Sequence, residues 1–174
     1  MSSTDRAALA RDVNAIARLS GRFVLRSGQV SDVYFDKYRF EADPGLLRRM
    51  AAAMLEITPP EAEVLAGAEL GGVPLAAAMS LADGRPAAFV RKVAKSYGTM
   101  RAVEGGDLAG RKVVIVEDVI TTGGAVVEAA RHITEAGGDV IGVVCAIFRA
   151  PGEPAIAGLD APVAAALTAA DLGG

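Results

Sequence analysis

The sequence predicts an α/β protein built on a central parallel sheet, and three observations support this. Stretches typical of strands alternate along the chain with stretches typical of helices, as in a parallel α/β sheet. Residues 113–116 read Val-Val-Ile-Val, and such a continuous apolar run suits a strand buried on both faces. The chain has 174 residues, of which 52% are hydrophobic, so it fits one globular domain with a full core.

The elements are predicted one by one from their start and stop signals. A first helix is capped by residues 3–5, runs to about Leu19 and ends at Gly21. A second begins at Asp43-Pro44 and stops at Pro59-Pro60. The other predicted elements are strands at 23–25, 33–35, 64–66, 87–90, 112–116, 140–148 and 164–167, with helices from about 75 to 82 and from 122 to 136. Residues 91–110 form a polar connection long enough for an active-site lid.

Composition and charge exclude several classes of function. The net charge of −3 offers no basic surface for general nucleic-acid binding. Cys145 is the only cysteine, which excludes an internal disulfide, and it lies in an apolar run as a buried side chain. The first twelve residues are polar, and the Ala-rich stretches are interrupted. We therefore expect neither a signal peptide nor membrane association, but a cytoplasmic protein.

The most informative motif joins two acids to a turn rich in Gly and Thr. Glu117 and Asp118 directly follow the β-branched run, and residues 121–125, Thr-Thr-Gly-Gly-Ala, open the next predicted helix. Free backbone N–H groups and the helix dipole make such a turn a phosphate cradle. Buried acids are costly without a partner, which favours a ligand over a simple helix cap. The motif predicts a sugar phosphate, or a metal that bridges the acids and the phosphate.

Three further segments are candidates for the same site. Residues 69–74 contain a Gly-Gly pair that allows close ligand approach, or form a plain strand-to-helix turn. Residues 91–99 bring three cations and a phenol into one loop. This loop either neutralises a leaving pyrophosphate or is a basic loop exposed to solvent. Residues 26–37 join a cation to two aromatics that face a planar ring or fill the core. His132, the only histidine, is expected to be structural or at the surface.

Together these segments resemble the type I phosphoribosyltransferases. Residues 116–125 resemble the family's signature for phosphoribosyl pyrophosphate (PRPP). The segments 26–35 and 91–99, Glu104-Gly-Gly and Arg149 resemble the orotate branch, and the resemblance spans about residues 9–149. It implies a central parallel sheet flanked by helices with a small hood. One domain, 1–174, is expected, with the helix and hood at about 1–40, the core at 41–149 and a tail at 150–174.

The resemblance implies a role for each matched position. Glu117 and Asp118 would hold the ribose hydroxyls of PRPP, and the following turn would wrap its 5′-phosphate. The implied PRPP-binding set is Arg26, Gly71, Gly72, Arg91, Lys92, Lys95, Tyr97, Glu117, Asp118, Val119, Ile120, Thr121, Thr122, Gly123, Gly124 and Ala125. The implied orotate-binding set is Tyr34, Phe35, Thr121 and Arg149, and the implied catalytic set is Arg91, Lys92, Lys95 and Tyr97 on the mobile loop.

The family further implies a reaction and its partners. The ribose 5-phosphate of PRPP would pass to orotate, giving orotidine 5′-monophosphate and pyrophosphate in de novo pyrimidine biosynthesis. Mg²⁺ would be held mainly through PRPP, with no direct protein ligand. The loop would reach partly into a neighbouring subunit, which implies a homodimer. Three positions depart from the family pattern: Arg26 replaces a common Lys, Tyr97 a common His, and Gly71 a cation found in some members.

Two other functions remain open at this level. A transferase for another base, such as a purine, would share the PRPP site and differ only at base-facing positions. A PRPP-sensing regulator that binds nucleic acid would usually carry an added N-terminal helix-turn-helix. Only about twenty residues precede the first matched segment here and the net charge is negative, which argues against the regulator.

Overall fold

The computed structural model of the protein describes residues 1–24, 28–93 and 102–173. Helices and strands alternate through most of this range, as the sequence predicts. In chain order the elements are α1 (Ser3–Ala17), β1 (Arg18–Val24), β2 (Val30–Phe35), α2 (Lys37–Ala42), α3 (Pro44–Glu56), β3 (Val64–Ala68), α4 (Gly72–Asp83), β4 (Ala87–Val90), β5 (Val103–Glu104), β6 (Lys112–Ile120), α5 (Gly124–Glu135), β7 (Asp139–Phe148), β8 (Val163–Thr168) and a short 3₁₀ helix (Ala170–Leu172).

The central sheet confirms the predicted fold class. Its strand order within the described residues is β5-β4-β3-β6-β7-β8. All neighbouring pairs are parallel except β4 with β5. Helices α1, α3 and α4 pack on one face and α5 on the other. The sheet is therefore buried on both faces, as expected where helices connect parallel strands.

Strand β6 lies near the middle of the sheet and carries the acids. Val114 and Val116 belong to the core layer shared with α1, α3 and α4, whereas Val113 and Ile115 belong to the layer shared with α5. The sequence predicted that this strand ends at Val116, but it continues to Ile120. The prediction was short because β7 continues alongside and supplies partners for these last residues.

The hood differs most from the sequence prediction. Helix α1 ends at Ala17, and Arg18 already begins β1, which pairs antiparallel with β2 in a separate two-stranded sheet. The predicted continuation to Leu19 was wrong because Leu19 pairs across the hairpin with Tyr34. Helix α2 was not predicted at all. Its Phe40 is fully buried, and the helix packs against α1 and α3.

The start of α3 confirms the local signals in the sequence. The Asp43 side chain accepts a hydrogen bond from Leu46 N at 2.8 Å, and Pro44 occupies the first turn. Both features fit the known preferences of helix N-termini. No helix among the described residues is long and apolar enough to cross a membrane.

Candidate active site

The two acids of the motif are buried at the carboxyl end of β6. Asp118 is fully buried and Glu117 is 6% exposed. Asp118 Oδ1 accepts a hydrogen bond from Val119 N at 2.5 Å, and Glu117 Oε1 accepts one from Asp118 N at 2.9 Å. Since ligands of parallel sheets bind at this edge, both predicted ribose-binding acids stand at the expected place.

A lysine from the hood helix pairs with the deeper acid. Lys37 Nζ, from the first residue of α2, lies 2.6 Å from Asp118 Oδ2. The two groups form an ion pair, and apart from this ammonium Oδ2 has no hydrogen-bond partner. Glu41, one helical turn further, is 7% exposed and its Oε1 also has no partner. Sequence analysis gave neither residue a role, although Lys37 ends the candidate segment 26–37. Their spacing of four on one helix face was the available signal.

The three carboxyl groups titrate differently. Burial, followed by the hydrogen bond and charge of Asp118, raises the pKa of Glu117 to about 9. Burial and the Asp118 charge likewise raise the pKa of Glu41 to about 8. Burial also acts to raise the pKa of Asp118, but the hydrogen bond with Glu117 and the Lys37 ammonium outweigh it, and the net shift is downward. At neutral pH the cluster therefore holds one carboxylate, paired with one ammonium.

The Gly-rich loop between β3 and α4 packs directly on β6. A Cβ on Gly71 would lie 2.9 Å from Asp118 Cβ and overlap the carboxylate, and a Cβ on Gly72 would overlap Val116 O. The peptide bond between Glu69 and Leu70 is cis. The glycines therefore allow a backbone approach that no other residue permits, and the predicted pyrophosphate loop touches the predicted ribose acid.

The phosphate turn connects β6 to α5. Gly123 has a φ of 79° just before α5 begins, a conformation that favours glycine. A Cβ there would lie 2.5 Å from Ile156 Cγ2, so the tail packs against the turn. Thr122, Gly124 and Ala125 line one cavity of about 410 Å³, next to the free N–H groups of the helix start.

Two predicted loop cations face that same cavity. Arg91 and Lys92 follow β4 and line it together with Glu69. Arg91 Nε is buried without a hydrogen-bond partner, a donor available to an anionic ligand. The structure thus brings the phosphate turn, the Gly-rich loop and the first loop cations together. Arg26, Lys95 and Tyr97 lie outside the described residues, and their roles stay predictions.

A second cavity of about 360 Å³, the base cavity, is lined by three of the predicted orotate-binding residues. Tyr34, Phe35 and Arg149 line it, and the Arg149 guanidinium lies 5.5 Å from the centre of the Phe35 ring. Asn14 and Arg18 line it as well. Sequence analysis missed Arg18 because it continued the first helix past this residue, which hid the start of β1. Asn14 lies within α1 and gave no local signal.

Thr121 lies at the carboxyl end of β6 beside Arg149. Arg149 N donates a hydrogen bond to Ile120 O at 2.8 Å. Thr121 is the next residue after this contact between β6 and the residue that follows β7. Thr121 is exposed and does not line the base cavity of the described residues. Its predicted orotate contact stays a prediction.

Residues of the carboxyl-terminal tail form part of the wall of the base cavity. Ala169 and Leu172 line the cavity, and Asn14 Nδ2 donates to Leu172 O at 2.9 Å. Arg6 Nε and Nη2 donate to the two oxygens of Asp171 at 3.0 and 2.6 Å. A segment to which the sequence assigned no role beyond a possible strand thus forms one wall of this cavity.

The remaining singled-out residues lie outside both cavities. Cys145 is fully buried in β7, as predicted. His132 is 8% exposed, with Glu128 and Glu135 each 3.5 Å away. It is a buried residue of α5 and lines a separate cavity with Val103 and Leu108, which agrees with a structural role.

Comparison with known proteins places this geometry in a family. The family model of the phosphoribosyl transferase domain matches residues 43–161. Orotate phosphoribosyltransferase of Nocardioides sp. is 53% identical over 167 residues, 95% of this chain and 93% of that protein. The enzyme of Methanopyrus kandleri is 44% identical over 155 residues, 88% of this chain and 84% of that protein.

Solved structures agree. Mycobacterium tuberculosis orotate phosphoribosyltransferase in complex with PRPP has 32% sequence identity and a TM-score of 0.82, covering 97% of this chain and 99% of that one. The structure of the same enzyme in complex with Fe(III) dicitrate has 35% sequence identity and a TM-score of 0.86, and it covers the same shares of the two chains. The chain therefore belongs to the phosphoribosyltransferase family. Within that family it is a member of the orotate phosphoribosyltransferase branch, a glycosyl-transferring enzyme.

Proposed function

We propose that the two cavities hold the two substrates, PRPP between the Gly-rich loop and the phosphate turn, and orotate beside Tyr34, Phe35 and Arg149. The enzyme's reaction is the transfer of ribose 5-phosphate from PRPP to orotate, giving orotidine 5′-monophosphate and pyrophosphate in pyrimidine biosynthesis. The observation that supports the site assignment most is the buried Asp118, which touches the Gly-rich loop and lies just before the phosphate turn.

The base cavity fits an anionic planar ring. Arg18 and Arg149 both line it, and a guanidinium offers a planar fork that matches a carboxylate. Phe35 and Tyr34 provide apolar and aromatic surface for the ring. Orotate carries a carboxylate, whereas the free purine bases do not, so the two arginines favour orotate over a purine.

The chain's own residues stabilise separating charge during the transfer. The bond from ribose C1′ to the pyrophosphate oxygen breaks, the bond from C1′ to orotate N1 forms, and pyrophosphate leaves with the bonding electron pair. Arg91, Lys92 and Lys95 would stabilise that leaving charge, and closure of their loop would exclude water. The N1–H bond of orotate also breaks in this step. A phenol is a poor base near neutral pH, so the proton would pass to the leaving pyrophosphate or to solvent and not to Tyr97.

Mg²⁺ would be held mainly through PRPP. Asp118 Oδ2 is already paired with the Lys37 ammonium, and no group of three or more His, Cys, Asp or Glu side chains among the described residues could hold a metal ion by itself. When bound with PRPP, Mg²⁺ supplies charge neutralisation for the pyrophosphate. Glu117 and Asp118 would act on the ion only indirectly, by holding the ribose of the PRPP that binds it. The oligomer proposed here is a homodimer that shares the basic loop between subunits, and the proposed compartment is the cytoplasm.

An orotate absorbance assay tests this function. Purified chain is mixed with orotate, PRPP and MgCl₂, and each component is omitted in turn. Loss of orotate absorbance should require all three together with the enzyme. A panel of free purine and pyrimidine bases then tests specificity. Turnover of a purine in place of orotate would contradict the proposal, and a monomer in analytical ultracentrifugation would contradict the shared loop.

A further inference from the structure

The predicted pyrophosphate loop has no cation at position 71, and packing prevents one there. A diphosphate bound at this loop would be stabilised by a nearby cation. Here the Cβ of any side chain at that position would overlap Oδ2 and Cγ of the Asp118 carboxylate. A cation for this part of the pyrophosphate has to come from another segment of the chain.

Lys37 brings an ammonium to that place from the hood. Its Nζ lies 2.6 Å from Asp118 Oδ2, the oxygen that a Cβ on Gly71 would meet first. The ammonium therefore lies beside the Gly71 backbone. The Lys37 side chain keeps 34% of its exposure, whereas that of Asp118 has none, so Lys37 lies on the outer side of the pair, where a ligand enters.

Asp118 is not accessible to a ribose hydroxyl in this arrangement. Its Oδ1 accepts from Val119 N, and its Oδ2 lies beneath the Lys37 ammonium and the Gly71 backbone. Before a hydroxyl can donate to Oδ2, the ammonium has to move. A four-carbon lysine side chain that is one-third exposed has the freedom to do so, and the diphosphate of an incoming ligand offers anionic oxygens.

We propose that Lys37 is the cation of the pyrophosphate loop: it neutralises Asp118 in the free enzyme and exchanges Asp118 for the diphosphate when PRPP binds. The ribose hydroxyls then take the place of the ammonium on Asp118. This inference rests on the proposed function, because it takes PRPP as the ligand. It adds a PRPP-binding residue, from α2, that the motif positions do not include.

The charges of the cluster favour such an exchange. With the pKa of Glu117 raised to about 9 and that of Glu41 to about 8, both are neutral at pH 7, and Asp118 is the single negative charge opposite Lys37. Ribose hydroxyls can replace the ammonium as hydrogen-bond donors to this carboxylate. The released ammonium then forms a charge-assisted contact with the diphosphate, which is stronger than a neutral one.

Calorimetric titration of Lys37→Met with two ligands tests the exchange. In one magnesium buffer, PRPP and ribose 5-phosphate are each titrated into the wild type and the variant. The Kd of PRPP should rise about tenfold or more, the range expected for a lost charge-assisted bond. The Kd of ribose 5-phosphate, which lacks the diphosphate, should stay unchanged or fall, because the competitor for Asp118 is gone.

Two control variants test whether the effect depends on the charge and on the position of Lys37. Lys37→Arg retains a cation and should recover most of the PRPP affinity. Lys112→Met makes the same change at an exposed residue at the opposite end of β6, and it should bind both ligands like the wild type. An equal loss for PRPP and ribose 5-phosphate in Lys37→Met would overturn the exchange, since Lys37 would then act only by keeping Asp118 in place. Unchanged PRPP affinity would overturn it too.

A double variant keeps the test valid if Lys37→Met folds poorly with an unpaired Asp118. Lys37→Met in an Asp118→Asn background should bind PRPP about tenfold more weakly than Asp118→Asn alone. Equal affinity would overturn the exchange. A wild type that binds no PRPP would reject the proposed function itself, whereas wild-type binding with equal losses for both ligands rejects only the role of Lys37.

Discussion

Replacing Gly71 by Ala tests the contact on which the PRPP site depends. The new methyl group would lie 2.9 Å from Asp118 Cβ and overlap the carboxylate. Asp118 is fully buried and held by Val119 N and Lys37, so it has little room to yield. Either the loop moves away from β6 or Asp118 leaves its ion pair. Both movements separate the groups assigned to pyrophosphate from those assigned to ribose.

The expected magnitude follows from the type of clash. Inserting a methyl group into a well-packed site costs about 1–3 kcal/mol, and each 1.4 kcal/mol is about tenfold in affinity. We therefore expect Gly71→Ala to lower the unfolding free energy by about 1–3 kcal/mol and PRPP affinity by about tenfold or more. Denaturant unfolding and calorimetric titration measure the two quantities separately.

A second glycine provides the matched control. Gly142 lies in β7, and a Cβ there would lie 3.4 Å from Pro59 Cγ, an ordinary contact distance. Gly142→Ala should therefore retain wild-type PRPP affinity. If Gly71→Ala also retained wild-type stability and PRPP affinity, the argument that this loop must rest on Asp118 would be refuted.

Three other changes give distinct outcomes. Lys95→Ala should lower kcat far more than it weakens orotate binding in steady-state assays, and an unchanged kcat would reject its catalytic role. Arg149→Met removes the guanidinium beside Phe35 and should raise the KM for orotate about tenfold while leaving PRPP affinity unchanged; an equal effect on both substrates would contradict this. The Arg6 hydrogen bond lowers the pKa of Asp171 from 3.8 to about 2, so this stabilisation is complete above about pH 4 and is lost as the pH falls through about 2. Asp171→Asn should lower the melting temperature above pH 4 and flatten its dependence between pH 4 and 2; melting curves that run parallel to the wild type would contradict this.

Several elements were predictable because their signals are local. The cap of α3 needs only Asp43 and Pro44, which act within one turn of the helix. The strand β4 matches its prediction because Pro86 and the charged Arg91 bound an apolar stretch and define both ends. Such signals depend only on neighbours in sequence, so they do not change with the tertiary contacts of the rest of the chain.

Other elements were not predictable because distant pairing decides them. Arg18 continues a helical pattern, yet it pairs with Phe35 in the hairpin. Glu117 and Asp118 lie inside β6, since β7 extends beside them. The alternation of faces also shifts there: Val114 and Val119 pack in one core layer, whereas Ile120 packs in the other. Strict alternation along a strand would place Ile120 with Val114.

The sequence by itself determined the family and led to the proposed PRPP anchor, because the acids and the phosphate turn are contiguous and their chemistry follows from adjacency. Only the tertiary structure decided what surrounds the anchor. Lys37 reaches Asp118 through the packing of α2, and Arg18 shares a cavity with Arg149 through the hairpin. These partners are far apart along the chain, and no local pattern encodes the packing that joins them. The sequence therefore identifies Asp118 as a motif residue. Only the fold shows that its carboxylate is buried and paired with Lys37.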